Sequence, residues 1–289
     1  MHPTSCPDWA EAILNGFSQV LLQRHPFCGL LCLVAILLTA PALLAGPLLG
    51  ALAGLLTAQQ RGYDKVERQA GLYSYNGVLL GVLLCKQFPW SPLLPLLIIA
   101  SGGLSAMLTH RWLRCTPNPQ CLKAYTAPFV LFSWLLLACA APQSITLDTL
   151  NSTLLHALPQ GLGQVFLLDQ PLAGLLIGAG LLIADRRAAC WAVIGCVGGI
   201  AVAILQNEPS SALFGLASYN PALAGLAFSR QRDKPWLPAC AIVLAILLQP
   251  GFSEVGLPPL TAPFVLACWL VQASARLMQR STFDHRLHW

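Results

Sequence analysis

Three blocks of this sequence occur twice. NGFSQVLLQRHPFCGLL (Asn15 to Leu31) returns as QGLGQVFLLDQPLAGLL (Gln160 to Leu176). GLYSYNGVLLGVLL (Gly71 to Leu84) returns as GLASYNPALAGLAF (Gly215 to Phe228), and CLKAYTAPFVLFSWL (Cys121 to Leu135) as GLPPLTAPFVLACWL (Gly256 to Leu270). The order is kept, at offsets of 145, 144 and 135 residues. Leu-rich sequence produces chance likeness, but TAPFV followed four residues later by Trp, twice over, is not a product of composition. Such a chain folds as two related halves, residues 1–145 and 146–289.

The solvent of those halves follows from their charge. Only 9% of residues are charged, 56% are hydrophobic, and mean hydropathy is +0.66. A soluble domain carries about 25% charged residues, so this surface faces lipid. Twenty-three Gly and 22 Pro are tolerated in membrane helices that pack closely or line a cavity.

The Lys and Arg residues of the two halves run in opposite phase. In the first half the second and fourth loops are basic (Arg61, Lys65, Arg68; Arg111, Arg114, Lys123), and the third has only Lys86. In the second half the first and third loops are basic (Arg186, Arg187; Arg230, Arg232, Lys234). The linker APQSITLDTLNSTLLHALPQ has no Lys or Arg, and the tail carries Arg276, Arg280 and Arg286. Cytoplasmic loops of membrane proteins are enriched in Lys and Arg. Ten spans starting from a cytoplasmic N-terminus place 15 of the 16 basic residues inside, Lys86 being the exception. Five spans per half is odd, so the second half is predicted to be inverted. The predicted spans are 27–45, 46–60, 72–86, 92–110, 124–141, 171–185, 188–206, 213–229, 236–249 and 260–277.

Several of these are short for a hydrocarbon core that needs about 20 helical residues. Short or broken spans at matching positions of inverted halves point to a pathway between the repeats. The stretches around Gln19 and Gln164 do not change sides in the charge count and read as re-entrant or pore helices. The fold class expected is therefore an all-α polytopic membrane protein: ten transmembrane helices plus two re-entrant or pore helices, in two inverted-topology repeats. The N-terminal MHPTSCPDWAEAILNGF lacks a basic n-region and an apolar h-region, which predicts insertion by the first span itself. Most of the 11 cysteines lie in apolar runs and read as small packing residues; no metal site is expected.

Three kinds of polar residue recur at matched positions. Gln19 and Gln164 each open a Gln-Val-(Leu/Phe)-Leu run; an amide suits a neutral polar solute or a helix-packing hydrogen bond. Ser74-Tyr75-Asn76 matches Ser218-Tyr219-Asn220. Asn before Gly77 or Pro221 reads as a helix start with Asn capping free N–H groups, and Tyr offers either a flat face to a planar solute or a core aromatic. Thr126 and Thr261 stand two residues before a proline, which is expected to free a helical carbonyl beside the hydroxyl. Thr bonding back to its own helix is the alternative.

All acidic residues fall in loops or near span ends. Coupled transporters bury an ionisable residue mid-membrane, and ion channels use charged rings or a carbonyl filter. A passive pathway for a neutral solute is favoured. An ion-coupled secondary transporter is the alternative, and an aquaporin-like channel, prompted by Asn220-Pro221-Ala222, is disfavoured by its unmatched counterpart Asn76-Gly77-Val78. No enzymatic activity, cofactor or nucleic-acid partner is expected.

The duplicated blocks resemble the urea transporter family. Its motif Leu-Pro-x-x-Thr-x-Pro-Phe is matched in full by Leu257-Pro258-Pro259-Leu260-Thr261-Ala262-Pro263-Phe264, while the copy Leu122 to Phe129 has Lys123 where Pro is usual. Tyr73-Ser74-Tyr75-Asn76-Gly77 matches a second family motif. The resemblance implies passive, channel-like transport of urea down its gradient, with other short amides as further permeants, through one pore per protomer of a homotrimer. It implies a midplane constriction at Thr126 and Thr261, acceptor ladders beginning at Gln19 and Gln164, and flat or apolar walls. The substrate-binding residues it implies are Gln19, Val20, Leu22, Tyr75, Leu79 and Thr126, with Gln164, Val165, Leu167, Tyr219, Leu223 and Thr261. The family commonly has Phe where this chain has Leu22, Leu167, Tyr75 and Tyr219, a departure that bears on selectivity. The compact loops point to a bacterial inner (plasma) membrane with both termini cytoplasmic, and Asn151-Ser152-Thr153 fits a glycosylation acceptor only in another setting.

Overall fold

The computed structural model of the chain describes residues 8–115, 121–139 and 154–287, with the backbone alone at 154, 155, 253 and 279–287. The predicted boundary at 145/146, Asp148 and Asn151-Ser152-Thr153 lie outside the described residues. Among these residues every regular element is helical. The first set is α1 (Asp8–Gln19), α2 (Pro26–Thr39), α3 (Ala45–Gln60), α4 (Lys65–Gln69), α5 (Tyr75–Gln87), α6 (Leu93–Cys115) and α7 (Ala127–Ala138). The second is α8 (Leu154–Gln164), α9 (Pro171–Ala184), α10 (Arg186–Leu205), α11 (Pro209–Leu213), α12 (Tyr219–Phe228), α13 (Trp236–Glu254) and α14 (Ala262–Leu287).

Helix starts follow local chemistry. Pro26 and Pro171 open α2 and α9, where a missing N–H costs nothing. Asp64 caps α4 by accepting from the Glu67 amide at 3.0 Å, and Asp185 caps α10 through Arg187 and Ala188. Among the described residues, three helical segments are long and apolar enough to cross a membrane: Pro41–Gln60 (with its leading 3-10 turn), Leu93–Cys115 and Arg186–Leu205. Five shorter apolar helices join them: Pro26–Thr39, Ala127–Ala138, Pro171–Ala184, Trp236–Phe252 and Ala262–Met278. Leu37, Leu56, Leu96, Leu135, Leu175 and Leu247 stand exposed on the outside, an apolar surface suited to lipid. The protein is an all-helical membrane protein.

Four predicted spans begin two or more residues later than expected. The 72–86 and 213–229 spans start at Tyr75 and Tyr219, because Gly71 and Gly215 turn the chain at φ +77° and +72°. The 124–141 and 260–277 spans start at Ala127 and Ala262, behind Tyr125 and Leu260 at φ +43°. α5 and α12 are only 13 and 10 residues long, and protein encloses them along nearly all of that length. Buried on all sides, they show no amphipathic pattern. Cys28, Cys32, Cys196 and Cys268 are buried, as packing residues are, whereas Cys139, Cys190 and Cys240 lie on the outer surface.

The two helix sets pack alike. α1 lies on α2 as α8 lies on α9, and α3 crosses α5 as α10 crosses α12. The tightest approaches occur at matched glycines. A Cβ at Gly29 would sit 1.8 Å from the Leu14 carbonyl oxygen, and one at Gly174 would sit 1.6 Å from that of Pro159. Only hydrogen fits there. These contacts seat the glutamine-bearing helices α1 and α8.

Between the sets, α2 meets α9 and α7 meets α14. The contacts are reciprocal: Trp134 Nε1 donates to the Pro258 carbonyl at 2.9 Å, and Trp269 Nε1 to the Lys123 carbonyl at 2.8 Å.

Candidate functional site

The two TAPFV segments bring their threonines together. Thr126 Oγ1 and Thr261 Oγ1 are 2.7 Å apart, and both side chains are buried. The hydroxyls meet across the helix sets rather than bonding back to their own helices. Pro128 and Pro263 do not free a mid-helix carbonyl as predicted. Pro128 is the second residue of α7, whose N-cap is Thr126, and Pro263 is the second residue of α14, which starts at Ala262. First-turn N–H groups lack helical partners in any case, so proline there removes no bond.

The residue before each threonine is strained. Tyr125 and Leu260 both hold φ +43°, a left-handed conformation costing a non-glycine residue about 1–2 kcal/mol. Their carbonyls are taken by matched tyrosines. The Tyr75 hydroxyl donates to the Tyr125 carbonyl, and that of Tyr219 to the Leu260 carbonyl at 2.6 Å. Tyr75 and Tyr219 thus hold the threonine turns.

Asn76 and Asn220 stand one residue inside the predicted helix starts, after Tyr75 and Tyr219, and they cap other helices than their own. The Asn76 Oδ1 accepts from the Phe129 amide at 3.2 Å and the Asn220 Oδ1 from the Phe264 amide at 3.3 Å. These are orphan N–H groups in the first turns of α7 and α14. The Nδ2 ends diverge: Asn76 donates to Thr109 Oγ1 at 3.1 Å, Asn220 to the Leu260 carbonyl at 2.9 Å.

Gln19 and Gln164 are the last residues of α1 and α8. Both helices then close in the same way. Leu22 N bonds Gln19 O at 2.9 Å and Gln23 N bonds Ser18 O at 3.1 Å; Leu167 N bonds Gln164 O at 2.9 Å and Leu168 N bonds Gly163 O at 3.1 Å. This is the Schellman pattern, whose left-handed position usually holds Gly. Here Leu22 and Leu167 hold it, at φ 58° and 57°. The Val20 and Val165 carbonyls take no hydrogen bond from the described residues, as the final carbonyls of a helix lack intrahelical partners.

Val20, Tyr75, Leu79, Val165, Tyr219 and Leu223 belong to one buried cluster, with Leu22 and Leu167 packed on it. A cavity of about 970 Å³ opens beside it, lined by Gln160, Gln164, Leu167, Tyr219 and Leu260 among others. Among the described residues, no Asp, Glu, Lys or Arg is buried.

Three features escaped the sequence reading. Asn15 and Gln160, one turn before the matched glutamines, are buried amides that were visible in the duplicated block but not singled out. Asp169 pairs with Lys86 at 2.6 Å in the cavity wall, and the lone basic residue out of charge phase was its signal. The strained Tyr125 and Leu260 had none.

An all-helical membrane protein with matched helix sets meeting at a buried hydroxyl pair is the class these features define. The chain belongs to the urea transporter family: the family described as "Urea transporter" matches residues 10–276. It is similar to urea transporter 1 of Ovis aries, 28% identical over 293 residues covering 91% of this chain and 75% of the sheep protein. It is also similar to urea transporter 1 of Mus musculus, 29% identical over 76% of this chain and 62% of the mouse protein. Urea transporter 1 of Rattus norvegicus is 27% identical over 91% of this chain and 75% of its own length.

Proposed function

We propose that this protein conducts urea, and more slowly other short amides, passively across a bacterial inner membrane. The observation that carries the proposal is the buried Thr126–Thr261 hydroxyl pair at 2.7 Å, where matched strained turns of the two halves meet. Urea is planar, neutral and rich in donors. Losing its water without replacement costs several kcal/mol. Hydroxyl oxygens at the centre, with glutamine and helix-end carbonyls on either side, supply acceptors along its edges. Leu22, Leu79 and Tyr75, with Leu167, Leu223 and Tyr219, supply apolar faces.

Two oxygens at 2.7 Å leave no gap between them, so urea passes alongside the pair or parts it by side-chain rotation. Spreading weak acceptors over several positions allows the solute to leave as readily as it enters. The absence of a buried acid or base among the described residues supports a neutral solute without ion coupling.

In this reading residues 1–145 and 146–289 are inverted repeats of five spans each, with α1 and α8 as pore helices and both termini cytoplasmic. The reciprocal Trp134–Pro258 and Trp269–Lys123 bonds support it, since a two-fold relation makes each contact occur twice. The homotrimer, with one pore per protomer, rests on the family resemblance alone. Stopped-flow uptake by purified protein in liposomes tests the function: urea is expected to enter fastest, with formamide and acetamide behind it and little water. Urea uptake no faster than in protein-free liposomes refutes the reading.

A further inference from the structure

Two glutamines one helical turn apart on α8 are held by the same residue. Asp169 Oδ1 accepts from Gln164 Nε2 at 2.8 Å, and the Asp169 carbonyl accepts from Gln160 Nε2 at 3.0 Å. Asp169 Oδ2 pairs with Lys86 Nζ at 2.6 Å, and the same ammonium donates to the Leu167 carbonyl at 2.9 Å. All five residues line the cavity.

A carboxylate and a backbone carbonyl only accept hydrogen bonds. Each glutamine is therefore turned with its nitrogen to Asp169 and its oxygen away from it. The Gln160 Oε1 is buried and has no partner among the described residues, and none engages the Gln164 Oε1 either. The first half holds its amides by the same end with other groups. Asn15 Nδ2 donates to the Gln69 carbonyl at 2.7 Å, and Gln19 Nε2 to the Ala70 carbonyl at 3.3 Å. The same orientation is imposed twice by different acceptors. Stability does not account for the Lys86–Asp169 pair. Its side chains are 33% and 61% exposed, and an exposed pair contributes about 0–1 kcal/mol.

Building on the proposed urea pathway, we propose that Asp169, anchored by Lys86, is a positioning residue. It turns the carbonyl end of Gln164 to the incoming solute, so this mouth offers an acceptor to a donor-rich amide.

Exchanging the two charges tests this, with Lys86→Asp and Asp169→Lys combined. The ion pair is restored, but an ammonium only donates, so Gln164 turns its oxygen toward residue 169. The half-saturating urea concentration for flux through proteoliposomes is expected to rise about five- to tenfold, as loss of one oriented acceptor implies. Asp169→Glu, which keeps an acceptor, is expected to stay within about twofold of wild type on the same ground. Half-saturation does not depend on how many molecules fold. Should the exchange give no active protein, Asp169→Asn, whose amide accepts either end of Gln164, reads the same quantity with a smaller rise expected. An unchanged half-saturating concentration in the exchange variant, or in Asp169→Asn where that stands in for it, makes the pair a mere latch and overturns the proposal. Wild-type protein carrying no urea overturns the channel reading and the clamp together; wild-type flux with that unchanged value overturns the clamp alone.

Discussion

Replacing both central threonines, Thr126→Val with Thr261→Val, is expected to slow urea flux by roughly ten- to a hundredfold. Valine keeps the shape and removes both hydroxyls, which stand 2.7 Å apart in a buried setting. A buried N–H left without an acceptor costs about 1–3 kcal/mol, and each ~1.4 kcal/mol on a barrier is tenfold in rate. Either single variant leaves one hydroxyl, with its own donor and acceptor capacity, and should lose less than the double. Thr126→Ser with Thr261→Ser keeps both oxygens and should retain most of the flux. Stopped-flow uptake by equal amounts of folded protein reads the series. Unchanged flux in the valine pair removes these residues from the mechanism.

The second large effect is on folding. Gly174→Ala is expected to destabilise the protein by about 3 kcal/mol or more, the range of severe overpacking. Its methyl carbon would lie 1.6 Å from the Pro159 carbonyl oxygen. That atom is backbone, so relief requires α8 to move bodily off α9. Gln160 and Gln164 would move with it. Gly29→Ala repeats the clash at 1.8 Å against Leu14 and displaces α1 with Gln19. Gly198→Ala is the control: its nearest neighbours, Ile246 Cδ1 at 3.5 Å and Ile242 Cγ2 at 3.8 Å, are ordinary contacts. Size-exclusion profiles and thermal melts in detergent should show loss of the folded species for Gly174→Ala and Gly29→Ala, and little change for Gly198→Ala. A wild-type melt for Gly174→Ala would contradict the packing described.

Duplication is what made the centre of the site legible. Thr126 and Thr261 carry no distinctive signal alone, but one motif at two places in a duplicated sequence, read as two inverted halves, predicts a meeting. Contact across the halves, at 2.7 Å, is the form that meeting takes. Helix starts were less legible. Tyr125 and Leu260 adopt φ +43° in residue types that avoid it, so nothing in the sequence marked the turns that put Pro128 and Pro263 into first turns. Asn76 and Asn220 were read as local caps because sequence spacing reports only near neighbours, whereas their partners lie 53 and 44 residues away. Charge counting classified Lys86 as a misplaced topology signal. Its partner Asp169 lies 83 residues on, beyond the reach of any periodicity.

The paired strain is informative in the same way. Leu22 and Leu167 occupy cap positions that glycine fills at lower cost. Both side chains pack on the buried cluster that holds Val20, Tyr75, Val165 and Tyr219, and the proposed slot takes them as part of its apolar faces.

Passive conduction between two inverted halves is the central claim, and the dependence of flux on ion gradients tests it most directly. Purified protein in liposomes is given equal urea gradients in each direction, with and without proton and sodium gradients, and with the membrane made permeable to both ions. The account predicts urea flux in both directions at rates unaffected by either ion. Urea movement that appears only when a proton or sodium gradient is imposed, or that proceeds against the urea gradient, would contradict it.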